Sequence, residues 1–156
     1  MNVPHQLKTF LDDVLLQAVS DIGEGIVVLD FPRIIYANEA FCKMTGCDED
    51  DLISAPSFFN LIPENERDSV REKIVFHIKN NKESSSRFET VIQGKSGKSL
   101  QIELTINAIE DGEQPRIFSI VRDITEHKSL KELLETQGVQ YKLLFQSNPH
   151  PMWIYD

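Results

Sequence analysis

Between Ser99 and Asn107 apolar and polar residues alternate without a break: Leu100, Ile102, Leu104 and Ile106 against Gln101, Glu103, Thr105 and Asn107. A period of two puts the first set on one face of a strand and the second set on the other. The chain must therefore build a sheet with one buried face, and one that is wetter or reserved for a partner. Neighbouring runs extend it. Phe88, Thr90 and Ile92 alternate with Arg87, Glu89 and Val91, and Gly94-Lys95-Ser96-Gly97 between the two runs is a hairpin connection. Glu110-Asp111-Gly112-Glu113 turns the chain again, and Ile117 to Ile124 returns with apolar residues on both faces, the pattern expected of a central strand covered on both sides.

Upstream the period is helical or broken. Leu7, Leu11, Val14 and Ala18, with Phe10 and Leu15 alongside, give an amphipathic helix over residues 5–20 that needs a partner surface. Gly23 and Gly25 break it. Ile26-Val27-Val28-Leu29 and Ile34-Ile35-Tyr36-Ala37 flank the turn Asp30-Phe31-Pro32-Arg33 as a hairpin. Asn38 is placed to cap a helix from Glu39 that Gly46 ends, and Asp48 to cap a brief turn through Leu52. Pro56 to Asn60 reads as irregular or a single helical turn. Pro63 then opens a longer helix whose apolar face is Val70, Ile74 and Ile78, with His77 close to that face and Phe76 nearly opposite.

Composition bounds the function. With 156 residues the chain holds one ordinary domain and some flanking helix. The net charge of −9, from 25 acidic and 16 basic residues, repels phosphate backbones and argues against nucleic-acid binding. No run approaches the roughly 18 apolar residues of a membrane span, and the N-terminus has no signal-peptide pattern, so a cytoplasmic protein is expected. Cys42 and Cys47 are too few for a disulfide framework and read as structural thiols.

The run Ile120-Val121-Arg122-Asp123-Ile124-Thr125-Glu126-His127-Lys128 joins an apolar strand to a charged helix without Gly or Pro. Such a junction is stiff. Thr125 can cap the helix that follows, and Glu126 suits the positive end of its dipole. Leu130, Leu133, Leu134, Gln137 and Leu144 then give a short, imperfect coiled-coil seam, which Gln137 and Gly138 weaken, or else a face that packs back on the sheet.

The order of these elements, with Gly25 to Asp30, Ile34 to Phe41, Thr45-Gly46, Ile62 to Arg67, the Gly94 to Gly97 connection and Arg122-Asp123-Ile124-Thr125, resembles a PAS domain over about residues 15–128. The resemblance implies an α+β fold: a five-stranded antiparallel sheet in the order 2-1-5-4-3, helices on one face, and helices flanking the domain at both ends. It also implies that Arg122, Asp123, Ile124 and Thr125 transmit signals, with Asp123 and Thr125 fixing the corner by polar contacts. Tyr141 to Asp156 looks like the start of a second such domain, offset by 126 residues, in which Met152-Trp153-Ile154-Tyr155 falls on Ile26-Val27-Val28-Leu29. The expected organisation is thus a flanking helix at 1–21, the domain at 22–125, an exit helix at 126–140 and a truncated repeat at 141–156. The tail is expected to continue the exit helix or to borrow packing from a neighbour.

Family chemistry is weakly represented. The segment Ser54 to Leu61, where light-sensing members carry a reactive Cys, contains none, which argues against a flavin-cysteine adduct. His77 is the one candidate haem ligand on the long helix, and it lies early for that role. No metal-ligand run or nucleophile elbow is present, so catalysis is not expected in this segment. Ile74, His77, Ile78, Phe88, Ile102 and Leu104 would line any pocket between the long helix and the sheet, and a small-molecule ligand there is left open. Two readings follow. One is a sensory module that forms a homodimer through its N-terminal helix or sheet face and relays a signal to downstream domains such as a histidine kinase or a cyclic-dinucleotide enzyme. The other is a ligand-free structural dimerisation module.

Overall fold

A computed structural model describes residues 5–80, 84–110 and 115–147. Five strands, β1 (Gly25–Asp30), β2 (Arg33–Ala37), β3 (Ser86–Gln93), β4 (Ser99–Glu110) and β5 (Pro115–Asp123), form one antiparallel sheet in the order β2-β1-β5-β4-β3. This is the expected order. Helices α1 (His5–Asp21), α2 (Glu39–Thr45), α3 (Glu49–Ser54), α4 (Glu64–Asn80) and α5 (Thr125–Ser147) complete the chain with a 3-10 turn at Phe58–Leu61. Two compact units result, residues 1–124 and 125–156.

The alternation in β4 decides the core. Leu100, Ile102, Leu104 and Ile106 are buried, and with Ile92, Ile117, Val121, Val27 and Leu29 they pave one sheet face. Phe41, Leu52, Phe58, Val70 and Ile74 pack onto that face from the helical side in a single cluster. Each fully buried aliphatic side chain contributes about 1.5–3 kcal/mol.

The opposite face is thinner than expected. In β5 only Ile117, Ser119 and Val121 are buried, while Phe118 and Ile120 are half-buried. Central position in the sheet does not bring cover on both sides, because the core cluster lies on one face only. The described part of the α1 stripe, expected to need a partner surface, is exposed in the single chain. Val14 and Leu15 are exposed, and it is Leu16 and Val19 that are half-buried; Leu7, Phe10 and Leu11 fall where side chains are not described.

Local signals explain the helix ends. Asn38 caps α2 by accepting from the Phe41 amide at 3.0 Å, and Gly46, at φ 68°, ends it in the left-handed region that Gly adopts without strain. Asp48 occupies the N-cap position of α3, but its side chain makes no capping bond. Ser57 caps the 3-10 turn through the Phe59 amide instead. The helix after the corner begins at Thr125 itself.

Candidate functional site

Strand alternation sends the two charged residues of the β5 terminus in opposite directions. Arg122 lies opposite Glu103 of β4 and donates from Nε to Oε1 of Glu24 over 2.8 Å. The hydrogen bond and charge of Glu24 push the guanidinium further up from its ordinary value. Glu103 also pairs with Arg87 at 3.7 Å, so charges of alternating sign run across the outer face from Arg87 to Glu24. Asp123, opposite Ile102, lines a cleft on the other side.

Glu24 is the partner that sequence reasoning missed. It sits between Gly23 and Gly25, where the chain reads as a helix break, and nothing in that spacing marks a carboxylate with a structural task. Its neighbourhood is held by Asn38. The Asn38 amide donates to the Glu24 carbonyl at 3.0 Å, and its Oδ1 accepts from the Ile26 amide at 2.8 Å as well as from Phe41. One buried side chain thus fixes the start of β1, the cap of α2 and the segment carrying Glu24.

At the corner itself a single residue, Ile124, separates β5 from α5. It is buried, and its amide donates to the Gln101 carbonyl at 2.8 Å. Asp123 and Thr125 both have interaction partners. Four consecutive residues thus combine an ion pair to the α1–β1 segment, a cleft wall, a buried anchor and a helix start.

Of the six expected pocket residues, five belong to or border the core cluster, and His77 is buried. Ile74, His77, Ile102 and Leu104 are at most 1% exposed, and Ile78 and Phe88 are half-buried at the edge of the core. Phe88 also lines an exposed groove with Phe76, Lys73 and Arg87. Within the core, His77 Nδ1 forms a 2.7 Å hydrogen bond with Ser86 Oγ, while Nε2 has no hydrogen-bond partner. Burial lowers the His77 pKa. Burial, reinforced by Glu49 and Asp48, pushes the Cys42 thiol up, which keeps it from acting as a thiolate. Among the described residues no group of three or more His, Cys, Asp or Glu could hold a metal ion, and no helix is long and apolar enough to cross a membrane.

Comparison with known proteins agrees with this architecture. An uncharacterized signaling protein of Caulobacter vibrioides is 26% identical over 113 residues, covering 70% of this chain; the match spans only 13% of that protein. Among solved structures, an RNA-binding light-oxygen-voltage receptor superposes with a TM-score of 0.67 at 22% identity, over 88% of this chain and 39% of its own. A sensory box histidine kinase/response regulator from Burkholderia thailandensis superposes with a TM-score of 0.63 at 19% identity, over 82% of this chain and 97% of its own. These two likenesses establish the fold. A family model of the PAS domain matches residues 23–126, more than half of the chain, so the chain belongs to the PAS domain family.

Proposed function

We propose that this chain is a sensory or regulatory PAS module that forms a homodimer and relays conformational change through α1 and α5 to downstream domains of a longer protein. The observation that carries this reading is the Arg122–Glu24 ion pair, which ties the segment just after α1 to the strand end just before α5. A shift at either helix is then felt at the other. Exposed apolar residues on both helices support dimerisation: Val14 and Leu15 on α1, Leu130, Leu133 and Leu134 on α5.

The downstream destination is a second domain of the same kind. The run of α5 through Tyr141 to Ser147 supports this, since at the 126-residue offset that aligns Met152 with Ile26 these residues fall on Leu15 to Asp21 of α1. Residues 148–156 of that repeat lie outside the described residues. The module itself performs no catalysis in this reading, and the output is a histidine kinase or a cyclic-dinucleotide enzyme in the longer protein.

The test is a charge exchange in the full-length protein. Glu24→Arg and Arg122→Glu should each alter output while the domain stays folded, and the two together should restore it. Output unaffected by either single change would sink the relay. A ligand-free structural dimer is the second reading, favoured by the place of Ile74, Ile102 and Leu104 in the buried core cluster. Native mass spectrometry separates the two, because a co-purifying small molecule excludes it.

A further inference from the structure

We propose that the cleft between the end of α2, the β3–β4 hairpin and the end of β5 binds a phosphate-bearing small molecule of nucleotide size, held by Lys43, Lys95 and Lys98. The proposal stands independently of the relay reading. The cleft has a volume of about 530 Å³, which suits a small-molecule ligand. Charge singles it out. In a chain of net charge −9, three lysines line one concavity whose one acidic wall residue is Asp123.

The lysines spring from a fixed base. The Lys95 amide donates to the Thr45 carbonyl at 2.8 Å, clamping the hairpin on the end of α2. Gly94 approaches so closely that a Cβ there would stand 2.9 Å from the same carbonyl oxygen. The contact thus sets the spacing of Lys43 from Lys95 and Lys98 through backbone.

Two of the amines have carboxylate partners, Glu39 for Lys43 at 2.8 Å and Asp51 for Lys95 at 3.4 Å, but neither carboxylate lines the cleft. All four side chains are more than half exposed, and exposed pairs of this kind are weak and exchange readily. A phosphate carrying two charges and several acceptor oxygens replaces them. Met44 and Leu100 supply apolar wall for a base or similar flat group. The ligand class is therefore a nucleotide, not inorganic phosphate, and its occupancy reaches the residue directly before the buried anchor Ile124.

The test is a titration of the 156-residue chain with ATP, inorganic pyrophosphate and adenosine, each without magnesium, followed by amide shifts in nitrogen-15 spectra. ATP should shift Gly46, Gly94 and Gly97 saturably, pyrophosphate should do so more weakly, and adenosine should leave them in place. Affinity for ATP should fall as salt is raised. Changing Lys43, Lys95 and Lys98 together to Gln should weaken ATP at least about tenfold, equivalent to the loss of one strong contact. Lys73→Gln, outside the cleft, should bind like the wild type. If the triple variant fails to fold, the exposed Lys98→Gln alone serves, with a smaller loss expected. Absence of saturable shifts, equal shifts with adenosine, or undiminished binding by the lysine variants overturns the proposal.

Discussion

Arg122 Nε and Glu24 Oε1 lie 2.8 Å apart, and the side chains differ in setting: that of Glu24 is 16% exposed, that of Arg122 is 59% exposed. The second oxygen of Glu24 is buried without a hydrogen-bond partner. Losing Arg122 therefore strands a largely covered carboxylate, whereas losing Glu24 leaves an exposed guanidinium beside Glu103 and water. Arg122→Ala is expected to cost on the order of 1 kcal/mol, and Glu24→Gln less. Urea unfolding of both single variants and the double variant should yield a favourable coupling of about 0.5–1 kcal/mol that shrinks with added salt. Strict additivity would mean that the pair contributes no mutual stabilisation.

Asn38 serves three backbone groups at once. Asn38→Ala removes the acceptor for Ile26 and Phe41 and the donor to Glu24, and two of these bonds are buried. The expected loss is about 3 kcal/mol, combining the helix cap with stranded amides. Asn38→Asp keeps the acceptor for both amides but turns a carboxylate oxygen toward the Glu24 carbonyl, so its loss should be intermediate. Thermal unfolding orders the three proteins. A loss from Asn38→Ala no larger than that of an ordinary surface change would show that water replaces these contacts freely.

How much of this was legible in the sequence depends on whether the signal was periodic or spatial. Leu100 to Ile106 declared their face through alternation, Asn38 and Gly46 announced the limits of α2, and the corner at Ile124 was readable because no loop residue interrupts it. Glu24 was not, because its partner lies 98 residues away and pairing across a sheet leaves no local trace. The cleft lysines were missed for the same reason: Lys43 belongs to a helix and Lys95 to a hairpin, and only the clamp at Thr45 makes them neighbours. The half-covered faces of Phe118 and Ile120 misled in the other direction. Apolar residues on both sides of a strand indicate burial only when something packs on both sides.

His77 gives the domain a pH dependence whose sign follows from its burial. The folded state holds it with a pKa below the ordinary value near 6.5, because burial disfavours the charged imidazolium. Above about pH 6.5 the ring is neutral in both the folded and unfolded chain, and its packing contributes in full. As pH falls below that, the unfolded chain takes up the proton first, and stability is lost progressively down through the lowered folded value. Melting temperatures of the wild type should therefore drop on acidification more steeply than those of His77→Gln, which keeps a polar group near Ser86 but does not titrate. Parallel profiles for the two proteins between pH 7.5 and about 5 would remove His77 as the cause.

Gly138 lies within α5, with open space around the position its Cβ would occupy. Here Gly has no steric reason to be preferred, and it weakens the helix by about 1 kcal/mol relative to Ala. Gly138→Ala should raise helical ellipticity and the stability of α5 against fraying, whereas Gly138→Pro should break the helix at a cost of about 3 kcal/mol. The pair separates stiffness from mere connection. If α5 passes on movement of the Asp123 to Thr125 corner as a rod, the Pro variant should abolish output in the full-length protein, and the Ala variant should keep or strengthen it. If it acts only as a tether, both variants should signal alike despite their opposite effects on helicity. The weak point at Gly138 follows Leu130, Leu133 and Leu134, which are exposed on the same helix, so the Ala change should also tighten self-association. Sedimentation equilibrium of the two variants reads that directly, and a dimer constant insensitive to both would place the contact elsewhere than on α5.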